Sequence, residues 1–320
     1  MLRNSTTRAV SFLAIVAAVA LTACSKKAEA PKEEPAAPAA APVAEAPPPA
    51  ASADVHAFKI GELSAVALRD GNLELPNDNK VFGVGRTPEE VATVLSAAGL
   101  PTDKLALTVA PLLVKAGERV LLFDTGAGTN MGPGAGKLQG ALAEAGVDPQ
   151  SVTDIFISHS HGDHVGGLLN AEGAPAFPNA TIHLSAPEWK HMSGNAQYAA
   201  LNSAIKPKVD AFAPGAELIP GTVKAVEVKG HTPGHSAYLI TSGADSLLYV
   251  GDSMHHFVVS VQKPEWTIAF DGDSAVASKS RADLIAASAA NGQRIYAVHF
   301  PFPGVGKFEK QDDKIVWIGE

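Results

Sequence analysis

The stretch Ser158-His159-Ser160-His161-Gly162-Asp163-His164 places three imidazoles and a carboxylate within six residues, directly behind the apolar run Asp154–Ser158. Polar groups packed so closely at the end of a buried segment are costly unless each finds a partner. A divalent cation organises such a group, because His and Asp are the N and O donors that zinc and similar ions accept. The competing reading, a solvated loop that happens to be rich in histidine, sits poorly with the apolar strand that leads into it.

Working outward, three more segments set a His or an Asp just past an apolar run with strand character. Gly230-His231-Thr232-Pro233-Gly234-His235 follows Val223–Val228, Gly251-Asp252 follows Leu247–Val250, and His299 follows Arg294–Val298. The motif His159-x-His161-x-Asp163-His164 resembles the signature of the metallo-β-lactamase-fold hydrolases, and the three later segments look like that family's subsequent motifs in their order. The resemblance runs from about Phe58 to Trp317. It implies an α/β fold, a four-layer αββα sandwich, and a ligand set of His159, His161, Asp163, His164, His231, Asp252 and His299. It further implies two divalent metal ions, zinc first, with manganese, iron or cobalt as alternatives. His159, His161 and His231 would hold one ion and Asp163, His164 and His299 the other, with Asp252 between them. A hydroxide bridging two such ions attacks a carbonyl or phosphoryl centre, which makes Asp163 and Asp252 the catalytic carboxylates.

Asp124-Thr125-Gly126-Ala127-Gly128, Phe177-Pro178-Asn179-Ala180, the Gly-His-Thr-Pro-Gly-His run and His299-Phe300-Pro301-Phe302-Pro303-Gly304 together are similar to the methyl parathion hydrolase branch, which includes phosphotriesterases and lactonases. The segment between the first cluster and His231 is shorter here than in the organophosphate-active members. The expected activity is therefore cleavage of a lactone, ester or phosphotriester, with neutral, moderately apolar lactones and aryl esters first. A β-lactamase, a glyoxalase II-like thioesterase and a non-catalytic metal-binding surface lipoprotein are the alternatives. No Gly-x-Ser-x-Gly elbow supports a serine hydrolase.

Around the ligand set, Asp124 is expected to orient a ligand imidazole. His235 has two readings, a partner of a ligand or a turn cap. His255 and His256 are candidates for lining the cavity, as are Trp189, Phe257, Trp266, Phe270 and Phe302. His56, His183 and His191 fall in no pattern and are read as ordinary surface or core residues. Gly162, Gly166 and Gly167 suit tight turns behind the cluster.

The rest of the chain frames these motifs. Leu107–Val114 and Arg119–Phe123 read as strands of a hairpin turning at Lys115-Ala116-Gly117-Glu118. Thr87-Pro88-Glu89-Glu90 predicts a capped helix over Val91–Ala98, stopped by Gly99. Lys137–Ala145 and Asp273–Ala290 read as further helices. The 320 residues are 46% hydrophobic and 18% charged, which excludes wholesale disorder. Residues 54–320 hold 20 Lys+Arg against 29 Asp+Glu, a net charge of −9. That surface argues against nucleic acid as a partner, since phosphate binding rests on Lys and Arg.

Residues 1–23 read as a signal peptide, with Arg3 and Arg8 before the apolar run Val10–Ala23. Leu21-Thr22-Ala23-Cys24 resembles a bacterial lipobox, which implies acylation of Cys24. Ser25 behind it implies outer-membrane retention, with the catalytic domain expected on the periplasmic side. Residues 24–54, rich in Ala and Pro, form a tether, and residues 55–320 a single hydrolase domain. A small-molecule substrate and the membrane are the expected partners, and a homodimer is an arrangement left open.

Overall fold

The computed structural model describes residues 53–129 and 131–320. The expectations for the signal peptide, Cys24 and nearly all of the tether lie outside these residues. Two seven-stranded sheets make the frame. The first runs, in spatial order, Val55–Ile60, Leu63–Leu68, Leu112–Ala116, Arg119–Phe123, Asp154–Phe156, Thr181–Ser185 and Val209–Phe212. The second runs Glu217–Ile219, Val223–Glu227, Ser236–Ser242, Asp245–Tyr249, Arg294–Tyr296, Val305–Gln311 and Lys314–Gly319.

Alternation along the strands assigns the layers, because successive side chains point to opposite faces. Leu121, Phe123 and Phe156 of the first sheet meet Tyr238, Ile240, Leu247, Tyr249 and Tyr296 of the second in one buried core between the sheets. Their neighbours Leu122 and Ile155 face outward, onto a second core with Leu138, Ala141 and Leu142 of the helix Leu138–Glu144 and Met192 of the helix Ala186–Ser193. Leu248, Val250 and Ile295 likewise face Ile285 of the long helix Ser274–Asn291. Helix, sheet, sheet, helix is the expected αββα sandwich. Among the described residues no helix is long and apolar enough to cross a membrane.

Helix boundaries follow the sequence signals. Thr87 and Glu90 close a reciprocal capping box on Pro88–Ala97. Asp273 caps Ser274–Asn291, which ends on Gly292 in the left-handed region at φ 64°. The expected strand Leu107–Val114 is corrected. It is two strands in different sheets: Lys104–Val109 pairs with Gly71–Pro76, and Leu112–Ala116 pairs with Arg119–Phe123. The chain changes sheet at Ala110-Pro111, where proline has no N–H to continue a ladder. The hairpin turn is also tighter than expected, because Ala116 pairs with Arg119 and leaves only Gly117-Glu118 between.

Topology gathers the chemistry. Arg119–Phe123, Asp154–Phe156, Thr181–Ser185 and Val209–Phe212 are mutually parallel, as are Asp245–Tyr249 and Arg294–Tyr296. The segments leaving their C-terminal ends carry Asp124, His159 to His164, Glu188 in the first turn of Ala186–Ser193, Asp252 and His299. Open α/β sheets place ligands at this end of their strands.

Candidate metal centre

The seven residues of the expected ligand set come together in two groups. His159, His161, His231 and Asp252 form one and Asp163, His164 and His299 the other, each within a 4.8 Å span of potential ligand atoms. Nε2 of His231 lies 3.1 Å from Nε2 of His159 and 3.0 Å from Nδ1 of His161. Asp252 divides its oxygens between the groups. Oδ2 is 3.6 Å from His159 Nε2 and 3.3 Å from His231 Nε2, while Oδ1 is 3.1 Å from His164 Nε2 and 2.9 Å from His299 Nε2. Oδ2 of Asp163 lies 3.6 Å from both His164 Nε2 and His299 Nε2. Donors about 2.0–2.2 Å from a tetrahedral ion are separated by roughly 3.3–3.6 Å; the longer separations match that range, and the 2.9–3.1 Å ones lie a few tenths of an ångström inside it.

Four imidazoles are turned by partners behind them. His164 Nδ1–H donates to Asp124 Oδ2 at 2.7 Å, His231 Nδ1–H to Asp271 Oδ1 at 3.0 Å, and His299 Nδ1–H to the Thr108 carbonyl at 2.7 Å. Ser158 Oγ donates to Asp124 Oδ2 at 2.7 Å and so accepts from His159 Nδ1–H at 3.0 Å. Each tautomer follows from its acceptor and leaves the Nε2 lone pair facing inward. Asp124, at φ 58°, also accepts from Ser158 N and from the Tyr249 hydroxyl, both at 2.7 Å. It stands behind the ligands, as expected.

Electrostatics describe a centre that demands positive charge. Burial would raise Asp252, but His164, His299, His255 and His159 hold it well below the usual carboxylate range. Burial opposes a charge on His164, yet Asp252, Asp163 and Asp124 push its pKa well above the imidazole value. His231 and His299 are raised against burial by Asp252, helped by Asp271 and Asp163 respectively. Burial and the neighbouring His231 lower His161 to about 4. Buried atoms without a hydrogen-bond partner include His164 Nε2, Asp252 Oδ1 and both ring nitrogens of His255. An inward-facing orphan on a ligand from each group is what a site built for cations presents.

The second rank of residues sorts as follows. His235 is a positioning partner: its Nδ1–H donates to the Val228 carbonyl at 3.1 Å, and its Nε2 accepts the Asp252 N–H at 2.9 Å. Burial and His231 bring it down to about 3, so it works as neutral imidazole. His255 lines the cavity, with Nε2 3.1 Å from Asp252 Oδ2. His256 caps its own turn, its Nδ1 accepting from Val258 N and Val259 N, both at 3.2 Å. Gly166 and Gly167 are required by close approach rather than by turn geometry, since a Cβ would lie 2.2 Å from the Ala127 carbonyl oxygen and 2.0 Å from that of Thr125. His56 and His191 are exposed, and His183 is buried within the first sheet, where its ring meets Asp154 and Asp210 instead of the centre.

A cavity of about 440 Å³ opens over the centre, walled by Leu73, Leu107, Met131, Tyr198, His255 and Phe270 among others. Of the five aromatics expected there, Phe270 alone is in the wall. Trp189, Phe257, Trp266 and Phe302 pack against the cores instead. Sequence reading missed Glu188, Asp271, Arg281 and Tyr198. Asp271 holds His231 and is itself held by Arg281 at 2.6 Å. Ser185-Ala186-Pro187-Glu188 has the form of a capping box, and Ser185 Oγ does accept the Glu188 N–H at 3.2 Å. The Glu188 carboxylate, however, reaches away from the helix into the ligand loops.

A sequence model of the metallo-beta-lactamase superfamily matches residues 107–299, more than half of the chain. The chain belongs to the metallo-beta-lactamase superfamily. Within it, the chain is similar to the solved structure of AidC, a dizinc quorum-quenching lactonase, at 28% identity and a TM-score of 0.78, covering 83% of this chain and 97% of that one. The hydrolase AbOPH, also 28% identical, superposes with a TM-score of 0.75 over 85% of this chain and 99% of its own. An N-acyl homoserine lactonase of Bacillus sp. is 27% identical over 161 residues, 44% of this chain. The chain spans between 21% and 61% of the length of the curated relatives it matches. This superfamily member thus shares its fold with metallo-hydrolases and has lactonases among its structural neighbours.

Proposed function

We propose that the chain is a dinuclear metal-dependent hydrolase that opens lactones, with N-acyl homoserine lactones as the foremost class. The observation that carries this is the division of Asp252 between two complete donor groups at the floor of a cavity. Two divalent ions, when bound, would supply the polarised carbonyl and the activated water that such hydrolysis needs. His159, His161 and His231 would hold one, Asp163, His164 and His299 the other, and Asp252 both. The thiolate-free His/Asp set suits zinc and also accepts manganese, iron or cobalt.

The chain's own residues do the rest. Asp163, the more open of the two catalytic carboxylates at 14% side-chain exposure, takes the proton released as water oxygen bonds to the carbonyl carbon. It returns that proton to the ring oxygen as the ester C–O bond breaks. Neutral His255 offers a ring N–H to a substrate oxygen. Leu73, Leu107 and Phe270 exclude water around a neutral head group. Past Tyr198 the cavity meets a second chamber of about 440 Å³, walled by Val165, Leu169 and Leu201, with room for an apolar tail. The lactonase neighbours support the same reading.

The test pairs metal analysis with a substrate panel. Two ions per chain are expected, and lactones are expected to lead aryl esters, phosphotriesters and cephalosporins in kcat/KM. A cephalosporin, phosphotriester or RNA turned over tenfold faster than every lactone would overturn the substrate assignment. We further propose that Cys24 carries the lipid anchor, in the outer membrane and facing the periplasm. Cys24→Ala should then move the protein to the soluble fraction with hydrolysis intact, and a variant that stays in the membrane pellet would refute the anchor.

A further inference from the structure

We infer that Glu188 is a positioning residue which ties the two loops of one donor group together and so sets the affinity of that group alone. The inference rests on the dinuclear reading above. Glu188 is fully buried in the first turn of Ala186–Ser193. Its two oxygens serve different loops. Oε1 accepts from Ser160 N at 2.8 Å and Ser160 Oγ at 2.6 Å, and Oε2 accepts from Thr232 Oγ1 at 2.7 Å and Gly234 N at 2.9 Å.

Ser160 stands between His159 and His161, on the loop leaving the first sheet. Thr232 adjoins His231, on a loop between two strands of the second sheet. One carboxylate therefore fastens together the loops of the two sheets that carry this group's three imidazoles. The junction is tight as well as bonded. Ser185 Oγ donates to the Gly234 carbonyl at 2.6 Å, and a Cβ on Gly234 would lie 2.1 Å from Glu188 N. The other group is steadied from elsewhere, His164 by Asp124 and His299 by the Thr108 carbonyl.

All four donors to Glu188 are neutral, and that makes an isosteric test sharp. Glu188→Gln keeps the volume but has one accepting oxygen. Whichever way the amide lies, its NH2 faces a backbone N–H that it cannot accept from, and one loop loses that bond. Loss of a partner behind metal ligands weakens binding by about 10–100-fold. The effect is expected on one ion only.

The experiment is a zinc titration of the metal-stripped full-length chain against a chromophoric chelator, repeated with cobalt to follow each ion by its visible absorption. Wild type should bind two ions. Glu188→Gln should bind one as tightly as wild type and the other about 10–100-fold more weakly. Ser160→Ala and Thr232→Ala each remove one donor and should weaken the same ion by a smaller factor. Should Glu188→Gln fail to fold, these two variants decide the question by the same criterion. Unchanged affinity for both ions, or an equal loss at both, would overturn the role of Glu188. A wild-type chain that binds fewer than two ions would instead overturn the dinuclear reading on which the inference stands.

Discussion

Two clusters of His and Asp lie on and just beyond the strand Asp154–Phe156, and they differ in one respect. Across from Phe156, His183 is held between carboxylates, its Nε2 3.0 Å from Asp154 Oδ1 and its Nδ1 3.2 Å from Asp210 Oδ2. Arg119 donates to both Asp154 oxygens at 3.0 Å, Thr153 adds a 2.7 Å bond, and the imidazole stacks on Phe156 at 4.9 Å. Both carboxylate oxygens of Asp154 and both ring nitrogens of His183 are satisfied. Beyond the strand's C-terminal end, His164 Nε2, Asp252 Oδ1 and both His255 nitrogens make no hydrogen bond, although His164 Nε2 and His255 Nε2 each stand 3.1 Å from an Asp252 oxygen. An unpaired buried polar group costs about 1–3 kcal/mol. A chain that keeps several in one place implies a missing partner. Both clusters draw on the same residue types, and hydrogen-bond satisfaction separates them.

The comparison breaks most decisively at Asp252. Asp252→Ala removes the side chain shared by both groups, so metal content should fall below two and kcat/KM by more than about 100-fold, beyond the usual cost of losing an outer partner. Elemental analysis beside lactone hydrolysis measures both, and a variant with two ions and wild-type turnover would dissolve the distinction. Next in size is Asp124→Asn. Three donors converge on Asp124 Oδ2, from His164, Ser158 and Tyr249. An amide there should weaken metal binding by about 10–100-fold, readable by chelator competition.

Protons sharpen the contrast further. Raised pKa values at His164, His231 and His299 mean that the metal-free centre holds protons which a metal must displace. Affinity should therefore rise with pH, and binding should release roughly one proton per displaced imidazole. Calorimetry in buffers of different ionisation enthalpy measures that release, and a pH-independent affinity would contradict it.

The smallest effect on function belongs to the satisfied cluster. Burial raises Asp154, but His183, Thr153 and Arg119 outweigh it and leave its pKa depressed. A depressed carboxylate contributes stability above its unfolded pKa of about 3.9 and loses it as pH falls through the folded value. Asp154→Asn should cost about 1–3 kcal/mol near neutral pH and flatten the acid limb of a urea-melt series. Metal content and kcat/KM should stay within about twofold of wild type, and loss of an ion would erase the contrast between the clusters.

The gathering of the seven His and Asp side chains was legible because they are adjacent in sequence or directly follow strands. His159 to His164 form one local motif, and His231, Asp252 and His299 each sit a few residues past an apolar run. The same runs pointed to a layered α/β fold, and the αββα order followed from the family resemblance. Of the supporting carboxylates Asp124 was legible, but Glu188 and Asp271 were not, because each is an ordinary residue whose meaning depends on a distant partner. Glu188 meets Ser160 across 28 residues and Thr232 across 44, and Asp271 meets His231 across 40. The aromatics misled for a related reason: nearness in sequence to a metal loop does not decide which face of a strand or helix a ring takes. Leu107–Val114 misled because two strands of different sheets abut without a polar break, and only Pro111 marks the change.

One remaining feature bears on how such a protein could change its taste. Asp70, fully buried, accepts the N–H groups of Ala127 and Gly136 with Oδ2, both at 2.9 Å, and that of Leu138 with Oδ1 at 2.8 Å. At the same neck a Cβ on Gly136 would lie 2.1 Å from the Gly128 carbonyl oxygen. The loop that brings Met131 to the cavity is thus cinched at its base by a single carboxylate. Its tip can be lengthened, trimmed or exchanged while its two ends stay fixed. For a lineage under selection, or for an engineer, that is an interchangeable part: new specificities can be tried there without rebuilding the metal centre beneath.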